Sequence, residues 1–448
     1  MGQIIAALDL GSSKSIAIIA EKDQWGGLSI LHTETLASKN AIRRGRIYYL
    51  DEASNVVSEL IKKLKSNNEL KVEKIYVGIG GQSIHTRTYN VKLSVGNKPI
   101  NQELLDSLKD KVNDYDPDLK ENLEENLEEN LEICSCEYYV DGQAVSNPKG
   151  IVASNIEAQF QLVSGNPCLK RNMETLLSNK EIPVAGYFVS PLATAEAVLS
   201  PEEKESGCAL VEFGAGVTYI SVYKNKTLKY MVTIPVGGST ITKDICSLNI
   251  SEDEAETLKR EQGSAICESS GNGSVNDGHN SSRKIDLDKM NWIIEGRVDE
   301  IVKNIEQHIE ASGYSHTLDS GIIITGGGAL LRNLSQFIRN QTGKEVRLAK
   351  AKVKENQAET YLSPANSCVA GLALLGKENC VKDLRPKVQQ TSIFDVNELG
   401  SGKKNDKPNI FKRGLKKITK TINDGVNGGV IVFDDDDESY NDKNKKNS

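Results

Sequence analysis

One short pattern, written twice in the chain, limits the fold more than any other feature. Ala7-Leu8-Asp9-Leu10-Gly11-Ser12-Ser13-Lys14 and Leu210-Val211-Glu212-Phe213-Gly214-Ala215-Gly216-Val217 share one order: apolar strand, carboxylate, one residue, glycine, small residue. Each copy runs on into a second apolar strand. A single glycine hairpin is a common object, but two matching ones, each ending a buried strand, imply two similar half-molecules facing a shared cleft. A tight turn free of bulky Cβ atoms lets backbone N–H groups approach phosphate oxygens. A carboxylate beside it can hold the waters of a hydrated Mg2+ ion, and Lys14 adds a positive charge. The paired turns therefore predict a cleft that takes a nucleoside triphosphate by its phosphates.

The surrounding pattern is α/β. Short apolar runs punctuated by glycine give strands over 4–8, 16–20 and 28–36, and 52–65 has helical spacing (Val56, Val57, Leu60, Ile61, Leu64) before a buried strand over 74–79. Between about 82 and 165 the pattern changes to polar alternating strands, 83–94 and 151–163, around one helix and an insert. That insert, 119–132, repeats Glu-Asn-Leu-Glu at period four, and on a helix Leu119, Leu123, Leu127 and Leu131 form a slowly drifting stripe. It reads as a lengthened surface helix tip, a dedicated partner-binding helix being the sharper alternative. From Leu192 a small-residue helix leads to a strand over 208–213 and a second hairpin. Helical patterns over 251–262 and 287–311 enclose a Gly, Ser and Asn-rich stretch, 263–282, that reads as a mobile loop. A strand over 321–325 meets a triple glycine, 367–375 reads as a last packed helix, and the polar run from about 381 to 406 reads as a tether.

Composition closes off other classes. At 448 residues the chain exceeds what one hydrophobic core organises. A net charge of −7 argues against a nucleic-acid partner for the protein as a whole. The eight cysteines, at 134, 136, 168, 208, 246, 267, 368 and 380, form no CxxC pair, so they are expected to be reduced thiols in a cytosol rather than zinc ligands or a disulfide scaffold. The opening ten residues lack a basic flank and break at Asp9, so no signal peptide is expected, and a Met-Gly start with Ala6 does not complete a myristoylation motif. No apolar run approaches the roughly 20 residues that span a bilayer, which leaves peripheral membrane contact.

Two further elements carry chemistry. Ile323-Ile324-Thr325-Gly326-Gly327-Gly328-Ala329-Leu330 is a buried strand that opens through glycines into a helix, suited to close backbone approach to a nucleotide. Pro235-Val236-Gly237-Gly238 is followed by Glu256 and Lys259, which at i, i+3 share a helix face. Alone, that pair reads as a surface salt bridge.

In this order the four elements resemble the actin superfamily over most of residues 3–377, and within it the FtsA family of bacterial cell-division proteins. The FtsA likeness rests on the segment 83–163, placed like the family's 1C subdomain, and on the phrase Val236-Gly237-Gly238-Ser239-Thr240-Ile241-Thr242-Lys243-Asp244-Ile245. The resemblance implies a two-lobed actin-like fold of duplicated ribonuclease-H-like domains, with an inserted α+β 1C subdomain and a disordered C-terminal tether. The implied boundaries are 1–82 and 166–200 for the first lobe, 83–165 for 1C, and 201–377 for the second lobe with a 2B subdomain near 238–312. A linker over 378–408, an amphipathic helix over 409–426 and an acidic tail over 427–448 would follow. ATP with Mg2+ is the implied ligand, held by Asp9, Gly11, Ser12, Ser13, Lys14, Glu212, Gly214, Gly216, Thr218, Gly237, Gly238, Glu256, Lys259, Gly326, Gly327 and Gly328. Asp9 and Glu212 would reach the metal through water.

The last segment has its own reading. Phe411, Leu415, Ile418 and Ile422 are spaced four, three and four apart beside Lys412, Arg413, Lys416, Lys417 and Lys420. Such a basic amphipathic helix suits a membrane interface. Its four apolar side chains supply up to about 6–12 kcal/mol before ordering costs, so one chain binds marginally and a polymer of chains gains by avidity.

The resemblance thus implies an adaptor that recruits the tubulin-like polymer FtsZ to the cytoplasmic face of the membrane at the division site, assembles into actin-like filaments and helps recruit later division proteins. It places the FtsZ C-terminal peptide near the 287–311 helix, with Arg297 and Glu300 as candidates. The chain departs from the family at Glu212, where Asp is common, at Ala215, where glycine is, and in the acidic run Asp434–Glu438 beyond the basic helix. The helix before the second turn offers Thr194 and Glu196 but no glutamine to orient a water, so weak ATPase activity at most is expected. A PilM-like pilus-assembly adaptor and a kinase of the same superfamily are the rival readings.

Overall fold

The two glycine turns sit at equivalent places in two sheets. In the computed structural model, which describes residues 2–66, 69–114, 128–178, 180, 182–267, 274–276, 284–355 and 358–385, Gln3–Leu10 pairs antiparallel with Lys14–Lys22 and parallel with Ile75–Ile79. Cys208–Phe213 pairs antiparallel with Thr218–Lys224 and parallel with Ile322–Thr325. Each turn closes alike, Gly11 N–H to Lys14 O at 3.1 Å and Gly214 N–H to Val217 O at 3.0 Å. Asp9 therefore pairs in register with Ile16, and Glu212 with Tyr219.

The first sheet has seven strands in the order Val184–Val189, Ile75–Ile79, Gln3–Leu10, Lys14–Lys22, Leu28–Ala37, Lys352–Glu355, Ala358–Tyr361. The second has five, in the order Thr227–Ile234, Thr218–Lys224, Cys208–Phe213, Ile322–Thr325, Val346–Leu348. Central strands covered on both faces read as unbroken apolar runs, and Ile5, Ala6, Ala7 and Leu8 are fully buried. The second core is organised by Leu287–Ala311, whose buried Met290, Ile294, Val298, Ile301, Val302, Ile305 and Ile309 follow helical spacing. Its N-cap, Asp286, accepts from the N–H groups of Asp288 and Lys289.

Two short helices join the lobes. Ser190–Val198 crosses Ser367–Leu375 at a point where a Cβ on Gly371 would fall 1.7 Å from the Ala193 carbonyl oxygen. Only glycine admits that approach. Lys22 closes the end of the second helix, donating to the carbonyls of Leu374 at 2.5 Å and Gly376 at 3.1 Å.

Between the lobes' strands, Gln143–Val145, Glu129–Val140, Val152–Gly165 and His85–Pro99 form a separate four-stranded sheet, in that order. The helix Gln102–Asp114 supplies Leu105, Leu108 and Val112 to a core shared with Phe160 and Ile156 of that sheet.

Four expectations are corrected here. Residues 129–132, expected to continue a helical tip, belong to a strand. Asn130 accepts hydrogen bonds from Arg87 at 2.7 Å and Ser164 at 3.2 Å, and Leu131 packs into the core between lobes, so tertiary contacts override the helix propensity of the repeat. The second lobe was expected to run to 377, but Lys352–Glu355 and Ala358–Tyr361 join the first sheet, and Ser367–Leu375 packs against Gln3–Leu10 in the first core. The linker was expected from 378, yet Val381–Asp383 pairs with Leu70–Val72, and Cys380, fully buried, donates its N–H to Ile4 O at 2.8 Å. The loop expected over 263–282 is built in at its start and carries a strand. Ala265 N–H donates to Arg332 O, Ser264 N–H to Asn291, and Ser274–Asn276 pairs with Lys284–Asp286. The rest of the Glu-Asn-Leu repeat, the tether beyond Arg385, the 409–426 helix and the acidic tail lie outside the described residues.

Candidate functional site

The two turns face each other across a cavity of about 490 Å³, within the size range of small-molecule sites. They touch: a Cβ on Gly216 would fall 2.5 Å from Ser12 Oγ. The lining takes in Asp9, Gly11, Ser12, Ser13 and Lys14 from the first turn and Glu212, Gly214 and Gly216 from the second. Gly238, Glu256, Lys259, Gly326, Gly327 and Gly328 close it. Two residues expected there are not in the wall. Thr218 is buried and donates to Val236 O at 2.9 Å, while Gly237 lies behind the second turn, against Gly214 O.

The triple glycine is a packing necessity as well as a wall. Gly326 adopts φ +90°, and a Cβ on Gly328 would fall 1.9 Å from Phe213 Cδ1, so the loop lies flat on the strand that carries Glu212. The turn before Gly238–Ile245 is laced to the second turn by Gly238 N–H to Gly214 O at 3.0 Å and Ser239 N–H to Ala215 O at 2.9 Å.

The carboxylates at the floor are poorly satisfied. Burial raises the Asp9 carboxyl above its usual range, countered by a hydrogen bond from Cys368 Sγ at 3.3 Å and by the charge of Lys14. Burial pushes Glu212 up to about 8, with a hydrogen bond from Thr194 pulling down and the nearby Asp9 charge pushing further up. Glu212 Oε2 is out of reach of solvent and has no partner among the described residues. Lys14 donates to Asn366 at 2.7 Å, and burial lowers its ammonium, offset by Asp9. An orphaned acceptor, a glycine-lined wall and the cations Lys14, Lys259 and Arg260 fit a polyanion that arrives with a divalent cation.

Glu256 and Lys259 are not a solvated pair. Lys259 Nζ donates to Glu256 at 2.5 Å, Thr242 Oγ1 at 2.7 Å and Gly238 O at 2.9 Å, which pins the helix Glu252–Gln262 onto Gly238–Ile245 at the rim. Arg297 and Glu300 sit elsewhere. Arg297 forks onto Asp244, with Nε donating at 2.5 Å, and also bonds Glu300, so the pair ties Leu287–Ala311 to Gly238–Ile245.

Sequence reasoning missed Tyr219, Ser190, Cys368 and Arg260, all in the lining. The hairpin register was the available signal for Tyr219: a turn matched to the first places it opposite Glu212. Its hydroxyl accepts from Gly81 N–H at 2.8 Å, so a second-lobe side chain is bonded to the backbone just after the first-sheet strand Ile75–Ile79.

A family model described as "Cell division protein FtsA" matches residues 209–371, the stretch that holds the second turn, the rim helices and the triple glycine. Over that stretch the chain is similar to the FtsA family. It is 28% identical over 390 residues to the cell division protein FtsA of Porphyromonas gingivalis (strain ATCC BAA-308 / W83), covering 85% of this chain and 80% of that protein. It is 24% identical to FtsA of Neisseria meningitidis serogroup B (strain ATCC BAA-335 / MC58), covering 82% and 89%. Among solved structures the "PilM-PilN type IV pilus biogenesis complex" is similar with a TM-score of 0.60 and 14% identity, covering 83% of this chain and 97% of that one. That likeness bears on the fold, which is the two-lobed actin-like one. No described helix of this chain is long and apolar enough to cross a membrane.

Proposed function

We propose that this chain is a member of the FtsA family, a nucleotide-binding adaptor that holds the FtsZ polymer to the cytoplasmic face of the membrane at the division site and helps recruit later division proteins. The supporting observation is the cleft, where two matched turns and an unpartnered Glu212 oxygen converge on one cavity. In this reading Gly11 to Lys14 and Gly214 to Gly216 hold the phosphates of ATP, and Gly326 to Gly328 with Glu256 and Lys259 hold the nucleoside. Asp9 and Glu212 meet Mg2+ through water. Two carboxylates reaching it through water would be too few to hold the ion alone, so the phosphates of the nucleotide would have to share in holding it. The metal, when bound, neutralises phosphate charge. The chain's own groups bind and orient, and since the described lining residues include neither glutamine nor histidine, nucleotide acts chiefly as a ligand that closes the cleft.

The membrane and partner parts rest on sequence and family. The basic amphipathic pattern over 409–426 supplies the anchor, filaments of the chain multiply it, and the second lobe receives the FtsZ C-terminal peptide. Co-sedimentation with FtsZ and vesicles containing anionic lipid, with and without ATP, tests the whole. FtsZ is expected to pellet with vesicles only when this protein is present, more so with ATP. Removing 409–426 is expected to release the protein from vesicles while nucleotide binding stays intact. Retention on vesicles after that deletion would refute the anchor and favour a PilM-like adaptor, whose fold this chain shares.

A further inference from the structure

The hairpin of Ile42–Arg43 and Arg46–Ile47 reaches the cleft only through Gly45 at its tip, which lines the cavity and is wedged between both glycine turns. Gly45, at φ +71°, donates its N–H to Ser12 Oγ at 2.9 Å. A Cβ on Gly45 would fall 3.2 Å from Tyr219 Oη, and one on Gly216 would fall 3.1 Å from Arg44 N. First turn, second turn and hairpin tip are one packed unit.

The outward side of the same segment is basic and aromatic. Lys39, Arg43, Arg44 and Arg46 are exposed, and none forms an ion pair among the described residues. Tyr48 and Tyr49 are 47% and 45% exposed, packed edge to face with ring centres 4.9 Å apart. The Arg43 guanidinium lies 4.3 Å from the centre of Tyr48 and 5.4 Å from that of Tyr49. Leu50 is exposed beside them, and Asp51 and Glu52 serve the first turn of Leu50–Lys65. Lys39 and Arg44 hold φ of 48° and 49°, a backbone state uncommon outside glycine, Asn and Asp. The arginine and tyrosine side chains are thus presented at reduced entropy cost, stacked and fixed before any partner arrives.

We propose that Lys39–Leu50 is a docking surface for an acidic segment of a partner protein, carrying aromatic or aliphatic side chains among its carboxylates, and that the state of the cleft sets its affinity. Guanidinium forks match carboxylates, and the ring pair with Leu50 matches an apolar side chain. Three cations on one hairpin, with Lys39 just before it, suit a short peptide. A long polyanion would meet the field of a chain whose net charge is −7. Dependence on the cleft rests on the nucleotide reading above; the surface does not.

The probe is a fluorescein-labelled peptide alternating glutamate with phenylalanine, titrated by anisotropy against the full chain. Arg43→Glu with Arg46→Glu is expected to weaken binding about tenfold or more. Lys109→Glu with Lys111→Glu, the same charge change on the exposed face of Gln102–Asp114, is expected to change it less than about twofold. Tyr48→Ala with Tyr49→Ala is expected to weaken binding without altering its salt slope. Equal losses in both charge variants, or equal binding of the glutamine version of the peptide, overturn the surface. Tighter binding of a single-stranded oligonucleotide or an anionic vesicle, lost in the Arg43 and Arg46 variant, overturns the peptide assignment. Binding of a fluorescent ATP analogue is measured in parallel. If that analogue binds and a non-hydrolysable ATP analogue leaves peptide affinity unchanged, the coupling is wrong and the nucleotide reading stands. If the fluorescent analogue does not bind, the nucleotide reading and the coupling fail together, while the variant comparison still decides the surface.

Discussion

Gly371→Ala is expected to destabilise the chain by about 3 kcal/mol or more, and Gly371→Val to leave little soluble protein. The cause is the crossing of Ser190–Val198 and Ser367–Leu375, where a new Cβ would meet the Ala193 carbonyl oxygen at 1.7 Å and its carbon at 2.3 Å. Neither contact can relax by rotating a side chain, because both partners are backbone. The helices must separate, and with them the wall that places Cys368 on Asp9 and Ser190 beside the cavity. Gly296→Ala is the internal control. Gly296 lies within Leu287–Ala311 and its Cβ would meet nothing within 4 Å, so alanine there is expected to stabilise by about 0.5–1 kcal/mol through helix propensity. Thermal unfolding of the two variants should move in opposite directions. A small loss at Gly371, comparable to that of an exposed helical site, would show that the helices are not held at this distance.

Glu212→Gln is expected to be stabilising at high pH and damaging to ligand binding. The carboxyl's value in the unfolded chain is near 4.5 and in the folded chain about 8, so the folded state holds the extra proton between those limits. Stability therefore falls as pH rises from about 4.5 through 8 and levels off above, by roughly 4–5 kcal/mol for this group at about 1.4 kcal/mol per unit. Glutamine removes the titration. The variant should match the parent near pH 5 and gain about 3–6 °C in melting temperature near pH 9, the orphaned Oε2 position still costing a little. Affinity for Mg2+ and ATP should drop about tenfold or more, the loss of a charge-assisted contact. An unaltered pH profile, measured by calorimetry without nucleotide, would remove burial of Glu212 as the cause. The parent chain holds an ionisable group where a neutral one is more stable, which is the pattern of a binding residue kept against the interest of the fold.

The legible parts of this fold were those whose chemistry is local. The paired turns follow from glycine spacing, and Leu287–Ala311 follows from a seven-residue apolar stripe with an aspartate cap. The return of the chain to the first sheet at Lys352–Glu355, and its pairing with Leu70–Val72 at Val381–Asp383, were not legible, since strands of three or four residues are defined by the neighbour they pair with. The Glu-Asn-Leu repeat misled in its last four positions because its residue types favour helix while Asn130 and Leu131 are claimed by tertiary partners. At the site, the glycines and carboxylates announced themselves by pattern. Cys368, Ser190 and Arg260 did not, because each enters the cleft from an element whose motif is only small or charged residues.

The exit of the chain from its first lobe also has a mechanical meaning. Both ends of the described fold meet at Gln3–Leu10: Asn379 Oδ1 accepts the Ile4 N–H at 2.7 Å, Cys380 N–H donates to Ile4 O, and the next three residues form an edge ladder with Leu70–Val72. Tension applied beyond Arg385 enters the protein at that clasp. The path onward runs along Gln3–Leu10, with Ile4 near its start and Asp9 near its end, so traction and the proposed ligand would act on opposite ends of one rod.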